Sequence, residues 1–333
     1  MFSSLSTGIQ AAADAVFMPW IVVTLLASGL FLTIRLRFVQ IVRLGEAVRE
    51  MRRSQEQGAG GALSPFQAFA TALAASIGMG NIAGVATAIV SGGPGALFWI
   101  WAYGFVATAI KFTEAVLGLQ FRVTAAGHVS AGPMYYLRDG LKQPWLATLF
   151  AFVAGVAALT TTPFTQPNSM ALVLQTQVGI PTWIAGLVIA VLTWLVIIGG
   201  IQSIGRAAER LAPLKVGLYL AGGLIVIVLH ADRLPDVLAL VVREAFSMKA
   251  ASGSAAGLGV LVALRYGLAR GVYANEAGYG TAAVAYGTAR SRHSTQQGLN
   301  AVMEVVIISF ITSNVSALSI LLTGVWQSGA TST

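Results

Sequence analysis

Long apolar segments separated by short polar stretches recur along most of the chain. We interpret eight of them as membrane-spanning helices, because about 20 apolar residues suffice to cross roughly 30 Å of hydrocarbon. The predicted spans cover residues 16–34, 66–90, 95–119, 145–178, 182–202, 214–230, 254–289 and 299–324. The segment 231–250 has balanced charge, and we expect it to form a short amphipathic helix at the outer face.

Composition supports this interpretation. Of the 333 residues, 56% are hydrophobic and 10% are charged, whereas about a quarter of residues are charged in an average soluble protein. The chain has no cysteine, which excludes disulfides and thiolate chemistry. We therefore predict an all-α integral membrane protein with several crossings.

The basic residues lie mainly between the predicted spans. Six arginines follow the first span, within residues 35–53, so this loop is predicted to be cytoplasmic and the N-terminus to lie outside. The net charge of +8 then reflects membrane topology, and we expect the lipid bilayer as partner and no nucleic acid. The predicted location is the cell (plasma) membrane, of the bacterial inner-membrane type.

Two of the predicted spans contain polar, glycine-rich sequence near their middle. The second span holds ASIGMGNIAG (residues 75–84), and the seventh holds LARGVYANEAGYGTA (residues 268–282). Irregular backbone at membrane depth persists only where it is buried or lines a cavity. Because the two spans are five apart, we expect an inverted repeat of five helices, whose broken helices meet at a site for an anionic group and a cation.

Other interpretations of these segments remain open. Gly80 and Gly84 have the spacing of small residues in closely packed membrane helices, so the glycines would then serve packing alone. A phosphate-binding loop is less favoured, because GMGNIAG follows no predicted strand. In the seventh span, Asn275 and Glu276 favour a binding site, since close packing does not require polar side chains.

Several motifs resemble the sodium:alanine symporter family, the alanine or glycine:cation symporters. They are GMGNIAGVATAI, GGPGALFWIWAYGF, AGPMYYL, QPNS, ARGVYANEAGYG and QGLNAVMEVV, in the order of the family, within residues 16–326. The resemblance implies a LeuT-like inverted-repeat bundle with broken helices 2 and 7 and one extra N-terminal helix. The implied parts are residues 1–61 (first helix and basic loop), 62–230 (first repeat), 231–253 (external amphipathic loop) and 254–333 (start of an incomplete second repeat).

The resemblance also implies import of a small neutral amino acid, alanine or glycine, by alternating access. A sodium ion is the implied coupling ion, and no cofactor is expected. The implied substrate-binding residues are Met79, Gly80, Asn81, Gln166, Asn168, Tyr273, Ala274, Asn275 and Gly278. Sodium is expected near Gly78, Asn81 and Asn275, with Asn314 as a further candidate, because carbonyl and amide oxygens suit a hard cation.

Two departures from the family pattern affect these expectations. Met79 stands where family members usually carry Thr, so a hydroxyl is missing beside the expected carboxylate site. The family normally has eleven helices, so we expect this chain to be truncated after the eighth. A family member that does not transport is therefore the alternative function, and an intramembrane hydrolase is a distant third. The oligomeric state does not follow from the sequence.

Ionisable side chains inside membrane spans are rare and mark ion pairs or functional sites. Lys111 and Glu114 are three residues apart in the third span, so we expect them to pair on one helix face. Glu304 is predicted to reach the inner membrane interface, with a proton or cation role as the alternative.

Two further polar side chains lie near the broken or final spans. Glu276 has Arg270 and Arg265 nearby, and an ion pair with one of them is as well supported as a role in coupling. For Asn314, a hydrogen bond to a neighbouring helix is favoured over cation binding.

Overall fold

The computed structural model describes residues 20–53, 60–125, 128–160, 162–247 and 259–328, together with Gly8 and Val16. Within these residues the chain is helical apart from loops and one antiparallel hairpin, in which β1 (Val123–Ala125) pairs with β2 (His128–Ser130). The predicted all-α class is confirmed. The end of the predicted outer segment and the start of the seventh span, residues 248–258, lie outside the described residues.

The helices follow one another with short connections. Before the hairpin they are α1 (Val22–Arg35), α2 (Val39–Val42), α3 (Leu44–Arg53), α4 (Pro65–Ser76), α5 (Ala83–Gly92) and α6 (Ala96–Gln120). After it come α7 (Pro133–Tyr135), a π-helical turn (Tyr136–Gly140), α8 (Pro144–Thr160), α9 (Thr162–Val178), α10 (Thr182–Ile197) and α11 (Gly200–Leu229). The last group is α12 (Leu234–Ala245), α13 (Gly259–Asn275), α14 (Thr281–Gly287), α15 (Ser294–Val305), a π-helical segment (Val306–Thr312) and α16 (Ser313–Thr323).

Four stretches of the described residues are long and apolar enough to cross a membrane. They are α6, α8 with α9, α11, and the continuous helix formed by α15 and α16. The predicted second span is divided into α4 and α5, and the described part of the seventh into α13 and α14. Residues 203–213, predicted as a loop, are helical and belong to α11. The reason is their content of Ala, Leu, Arg and Glu, all good helix formers.

The beginning of α4 is defined by a capping box. Ser64 Oγ accepts a hydrogen bond from the Gln67 amide at 3.1 Å, and Gln67 Oε1 accepts one from the Ser64 amide at 3.1 Å. Pro65 occupies the first helical turn, where its missing N–H costs nothing. These contacts fix the first turn of α4, and the helix ends at Ser76.

Helix α6 lies at the centre of the described bundle and contacts α1, α13, α14 and α15. Close approach depends on glycine at the contact points. A Cβ atom on Gly118 would lie 2.4 Å from the Ala283 carbonyl oxygen, and one on Gly267 would lie 2.4 Å from the Ala96 carbonyl oxygen. These distances leave no room for a side chain, so small residues set the spacing of the helices.

The start of α4 lies against the end of α14. The Arg290 amide donates to the Leu63 carbonyl at 2.7 Å. Arg122, two residues after α6, donates to the Ala289 carbonyl at 2.6 Å, and burial lowers the pKa of its guanidinium. Helix α4 therefore begins at the end of the bundle where α14 finishes, so the two helices run in opposite directions.

The predicted amphipathic segment contains α12. Val237, Val241 and Ala245 lie at successive helical turns on its buried face. This face packs against α6 and α13, and Trp99 Nε1 of α6 donates to the Ala245 carbonyl at 3.3 Å. The helix within the predicted segment is thus confirmed for residues 234–245.

Candidate functional site

Two interruptions divide the broken helices. Break 1 (residues 77–82) separates α4 from α5, and break 2 (residues 276–280) separates α13 from α14, so both predicted breaks are confirmed. In break 2, Glu276, Gly278 and Gly280 have positive φ values of 53°, 95° and 82°. Two of these residues are glycines, which adopt this conformation without the steric penalty of a Cβ atom. The sequence of break 2 is therefore suited to end one helix and begin another.

Asn81 is wholly buried in break 1, and both atoms of its amide are bound. Its Nδ2 donates to the Ser76 carbonyl at 2.7 Å, and its Oδ1 accepts from Ser313 Oγ at 3.0 Å. Its backbone carbonyl accepts a hydrogen bond from Ser316 Oγ. These contacts fix Asn81 between the end of α4 and the beginning of α16.

Asn275 has a matching arrangement at break 2. This buried residue ends α13, its Nδ2 donates to the Gly271 carbonyl at 3.0 Å, and its Oδ1 accepts from Ser309 Oγ at 2.8 Å. An amide oxygen has two lone pairs. The side chains of Asn275 and Asn81 therefore each retain acceptor capacity for a ligand.

The serines that bind the two asparagines lie on one continuous helix, residues 294–323, which we call the serine helix. Ser309 lies in its π-helical segment, and Ser313 follows four residues later. Residues four apart share a helix face, and π-helical segments are frequent at functional sites. Neither serine is among the residues predicted for the site, although two hydroxyls four residues apart in an apolar span were a usable signal.

A buried ion pair lies between the two breaks. Lys111 Nζ donates to Glu304 Oε1 at 2.6 Å, to the Asn275 carbonyl at 2.7 Å and to Ser76 Oγ at 3.2 Å. Glu304 Oε2 accepts from Tyr286 OH at 2.9 Å. The Lys111 and Glu304 side chains are 1% and 0% exposed. One ammonium group thus contacts the last residue of α4 and the last residue of α13.

Two predicted roles are wrong in the light of these contacts. Lys111 does not pair with Glu114, because its ammonium reaches Glu304, and the Glu114 Oε1 accepts from the Gly278 amide at 2.6 Å. Glu304 does not extend to the membrane interface, because it is enclosed by α4, α6 and α14. The Glu276 carboxylate accepts from Thr281 Oγ1 at 3.0 Å, across break 2.

Several predicted site residues are adjacent. A Cβ atom on Gly78 would lie 2.8 Å from Gln166 Oε1, and a Cβ atom on Gly80 would lie 3.1 Å from both Ala274 Cα and Tyr273 Cδ1. Break 1 therefore contacts α9 on one side and the end of α13 on the other. The glycines allow this approach, and larger residues would separate the segments.

The remaining predicted residues have varied positions. Met79 is half-buried within break 1. Asn168 is exposed on α9, two residues beyond Gln166 and so on a different side of the helix. Asn314 Oδ1 accepts from Trp101 Nε1 of α6 at 2.8 Å, which confirms the predicted hydrogen bond between helices.

Asn81 and Asn275 provide neutral amide oxygens at the two breaks, and break 2 also contains the Glu276 carboxylate. In the described part of the chain, no group of three or more His, Cys, Asp or Glu side chains could hold a metal ion. Carbonyl, amide and hydroxyl oxygens surround the breaks, and hard cations prefer such ligands. This arrangement can bind a small cation together with a ligand that has charged groups of its own.

Comparison with known proteins identifies relatives along the whole chain. The sequence model of the sodium:alanine symporter family matches residues 2–333, which gives no support to the expected truncation after the eighth helix. The chain is 37% identical over 312 residues to the sodium/alanine symporter AgcS of Methanococcus maripaludis, covering 92% of this chain and 68% of that protein.

Two proteins of Bacillus subtilis are also similar. The probable sodium/glutamine symporter GlnT is 34% identical over 310 residues, which cover 93% of this chain and 64% of GlnT. The amino-acid carrier protein AlsT is 33% identical over 305 residues, which cover 92% of this chain and 64% of AlsT. The chain thus spans 64% to 68% of the length of these three relatives.

Proposed function

Because the chain belongs to the sodium:alanine symporter family, we propose that it is a sodium-coupled transporter that imports a small neutral amino acid by alternating access. The relatives are named as symporters and carriers, not as enzymes, and their named substrates include alanine and glutamine. Alanine or glycine is the proposed substrate. The apolar helices and the family together make the chain a multi-pass membrane protein.

The observation that carries this proposal is that one helix binds both breaks. Ser313 donates to Asn81 in break 1, and Ser309 donates to Asn275 at break 2. A rotation or shift of the serine helix would therefore act on both breaks together. Coupled movement of two broken helices about a shared site is what alternating access requires.

The proposed site follows the expectations from the sequence. The backbone of Met79, Gly80 and Asn81 would bind the substrate carboxylate, and the side chain of Gln166 would approach from α9. Asn168, also expected at the site, would need α9 to turn, because it lies on a different side of that helix. Residues 273–275 and Gly278 would surround the amine and the side chain. The sodium ion would lie near Gly78, Asn81 and Asn275, where amide oxygens retain lone pairs. Asn314 is a weaker candidate ligand, because its Oδ1 already accepts from Trp101.

The close contact of the breaks supports a small substrate. A Cβ atom on Gly80 would lie 3.1 Å from Tyr273 Cδ1 and 3.3 Å from the Tyr273 carbonyl oxygen. Space for a long substrate side chain at this position would require the two segments to separate. The neutral amide groups of Asn81 and Asn275 also favour a zwitterion over a substrate with net charge.

We further propose a LeuT-like inverted repeat, with residues 62–230 and 254–333 as the two related parts. The opposite directions of α4 and α14 support this arrangement, as does the position of one broken helix near the start of each part. An N-terminus outside and a location in a bacterial inner membrane are proposed from the arginines within residues 35–53.

Uptake of radiolabelled alanine and glycine into proteoliposomes tests the proposal. The purified chain is reconstituted with and without an inward sodium gradient, and Asn81→Ala serves as the blank. Sodium-dependent uptake by the natural sequence that Asn81→Ala lacks would support the proposed function. Alanine binding without uptake would favour a family member that does not transport, and neither binding nor uptake would reject the proposed substrate.

A further inference from the structure

Glu114 has an unusual environment for a carboxylate in a membrane-spanning helix. The residue is 7% exposed, and its Oε1 accepts from the Gly278 amide at 2.6 Å. The amide of Gly280 also interacts with this carboxyl group. Its Oε2 makes no hydrogen bond with any of the described residues. One buried oxygen of this side chain is therefore unpartnered and lies beside break 2.

The buried charges around Glu114 do not balance. Lys111 and Glu304 form one ion pair at 2.6 Å, and Glu114 adds a second carboxylate without a second cation among the described residues. An uncompensated carboxylate in a low-dielectric interior is strongly disfavoured, and such a group becomes neutral instead. The cluster therefore requires one additional positive charge.

The other titratable groups that border this cluster do not supply that charge. They are the phenols of Tyr103, Tyr136, Tyr279 and Tyr286 and the carboxylate of Glu276. Neutral phenols and a further carboxylate leave the negative excess in place. The missing charge must come from a bound ion.

A proton fits this position better than a metal ion. The closest polar partner of the Glu114 carboxyl group is an N–H donor, which repels a metal cation. The nearby carbonyls are occupied, because Tyr103 OH donates to the Ala277 carbonyl at 3.0 Å and Lys111 Nζ donates to the Asn275 carbonyl. A hard metal cation needs several free oxygen ligands, whereas a proton needs only Oε2.

We propose that Glu114 is a proton-binding site, occupied while break 2 has the arrangement seen here. Binding forms an O–H bond at Oε2 with a proton taken from water, and Oε1 continues to accept from the Gly278 amide. Release returns the proton to water and breaks no other bond. The carboxylate left behind has no counter-charge, so loss of the proton favours opening of break 2 and access of water to Glu114.

Infrared spectroscopy of the purified protein tests the proton directly, without reference to transport. A buried protonated carboxyl group gives a C=O stretching band that is separate from the carboxylate bands and shifts in D₂O. We expect this band at neutral pH in the natural sequence, and its loss in Glu114→Gln. Glu46→Gln serves as the matched control, because Glu46 is exposed and paired with Arg43, and this variant should retain the band.

A second variant tests the charge balance. In Glu304→Gln, Lys111 is left to balance Glu114, so Glu114 should ionise and the band should disappear although Glu114 is still present. A band that persists in Glu114→Gln, or the absence of such a band from the natural sequence, would overturn the proposal. A band that persists in Glu304→Gln would overturn the charge-balance argument on which it stands.

The pH dependence of uptake provides the functional readout, which rests on the proposed transport activity. We expect the rate of alanine uptake at saturating sodium to differ between mildly acidic and mildly alkaline pH. This pH dependence should be present in the natural sequence and in Glu114→Asp. In Glu114→Gln, which mimics the protonated acid, the profile should become flat. An unchanged profile in Glu114→Gln would reject the site. If no chain takes up alanine but the infrared band behaves as expected, only the transport proposal is rejected.

Discussion

Lys111 and Glu114, one helical turn apart on α6, bind freed backbone groups of the same break. The Lys111 ammonium donates to the Asn275 carbonyl at 2.7 Å, and the Glu114 carboxyl group accepts from the Gly278 amide at 2.6 Å. The carbonyl end of α13 carries partial negative charge, which a cation stabilises. Helix α6 thus supplies a donor to a freed carbonyl and an acceptor to a freed amide, and both side chains are buried.

Lys111→Met should destabilise the fold strongly. The change removes the cation that balances Glu304, and an unpaired buried carboxylate costs about 3–5 kcal/mol. The free energy of unfolding, measured by denaturant titration in detergent micelles, should fall by about this amount. The control is Arg43→Met, which removes an exposed partner of Glu46 and should leave the free energy of unfolding nearly unchanged.

The double variant Lys111→Met with Glu304→Gln separates charge from shape. If the lone carboxylate causes the loss, removing its charge should recover part of the stability, so the double variant should be more stable than Lys111→Met alone. Equal or greater loss in the double variant would mean that the contacts of Lys111 to Asn275 and Ser76 dominate instead.

Asn81→Ala should reduce substrate affinity while leaving the protein folded. The change removes the proposed ligand oxygen and also the contacts to Ser76 and Ser313. Because sodium and substrate are proposed to bind together, loss of this oxygen ligand of the sodium ion should lower alanine affinity in equilibrium binding at a fixed sodium concentration. Gln175→Ala, which removes an exposed amide from α9, should bind as the natural sequence does. Unchanged affinity in Asn81→Ala would reject the proposed site.

Gly104→Ala should disturb the site from the α6 side. A Cβ atom at this position would lie 2.6 Å from both Cβ and Oγ of Ser309, which would displace the hydroxyl that binds Asn275. Overpacking of this kind costs about 1–3 kcal/mol, and the sodium concentration for half-maximal uptake should rise. Gly155→Ala is the matched control, because nothing lies within 4 Å of the added methyl group, and it should be neutral or slightly stabilising. Normal sodium dependence in Gly104→Ala would show that Ser309 does not affect the ion site.

The sequence predicted those features that depend on local chain properties. Both breaks follow from glycine and asparagine inside apolar segments, and the amphipathic helix α12 follows from the balanced charge of residues 231–250. The partner of Lys111 could not be predicted in the same way. Glu114 is close in sequence, but Glu304, 193 residues away, is the side chain that the fold places at the ammonium group. Pairing of buried charges depends on which helices meet, and spacing along one helix does not contain that information.

Met79→Thr tests the residue at which this chain departs from the family pattern. Met79 is half-buried in break 1, beside the proposed position of the substrate carboxylate. A threonine hydroxyl there could donate a hydrogen bond to a charged group, worth about 1.5–3 kcal/mol, so alanine and glycine should bind at least several-fold more tightly. Met79→Val provides the comparison, because valine is nearly the same size and shape as threonine but has no hydrogen-bond donor. If both variants changed affinity equally, Met79 would affect binding through the volume of the pocket and not through the missing hydroxyl.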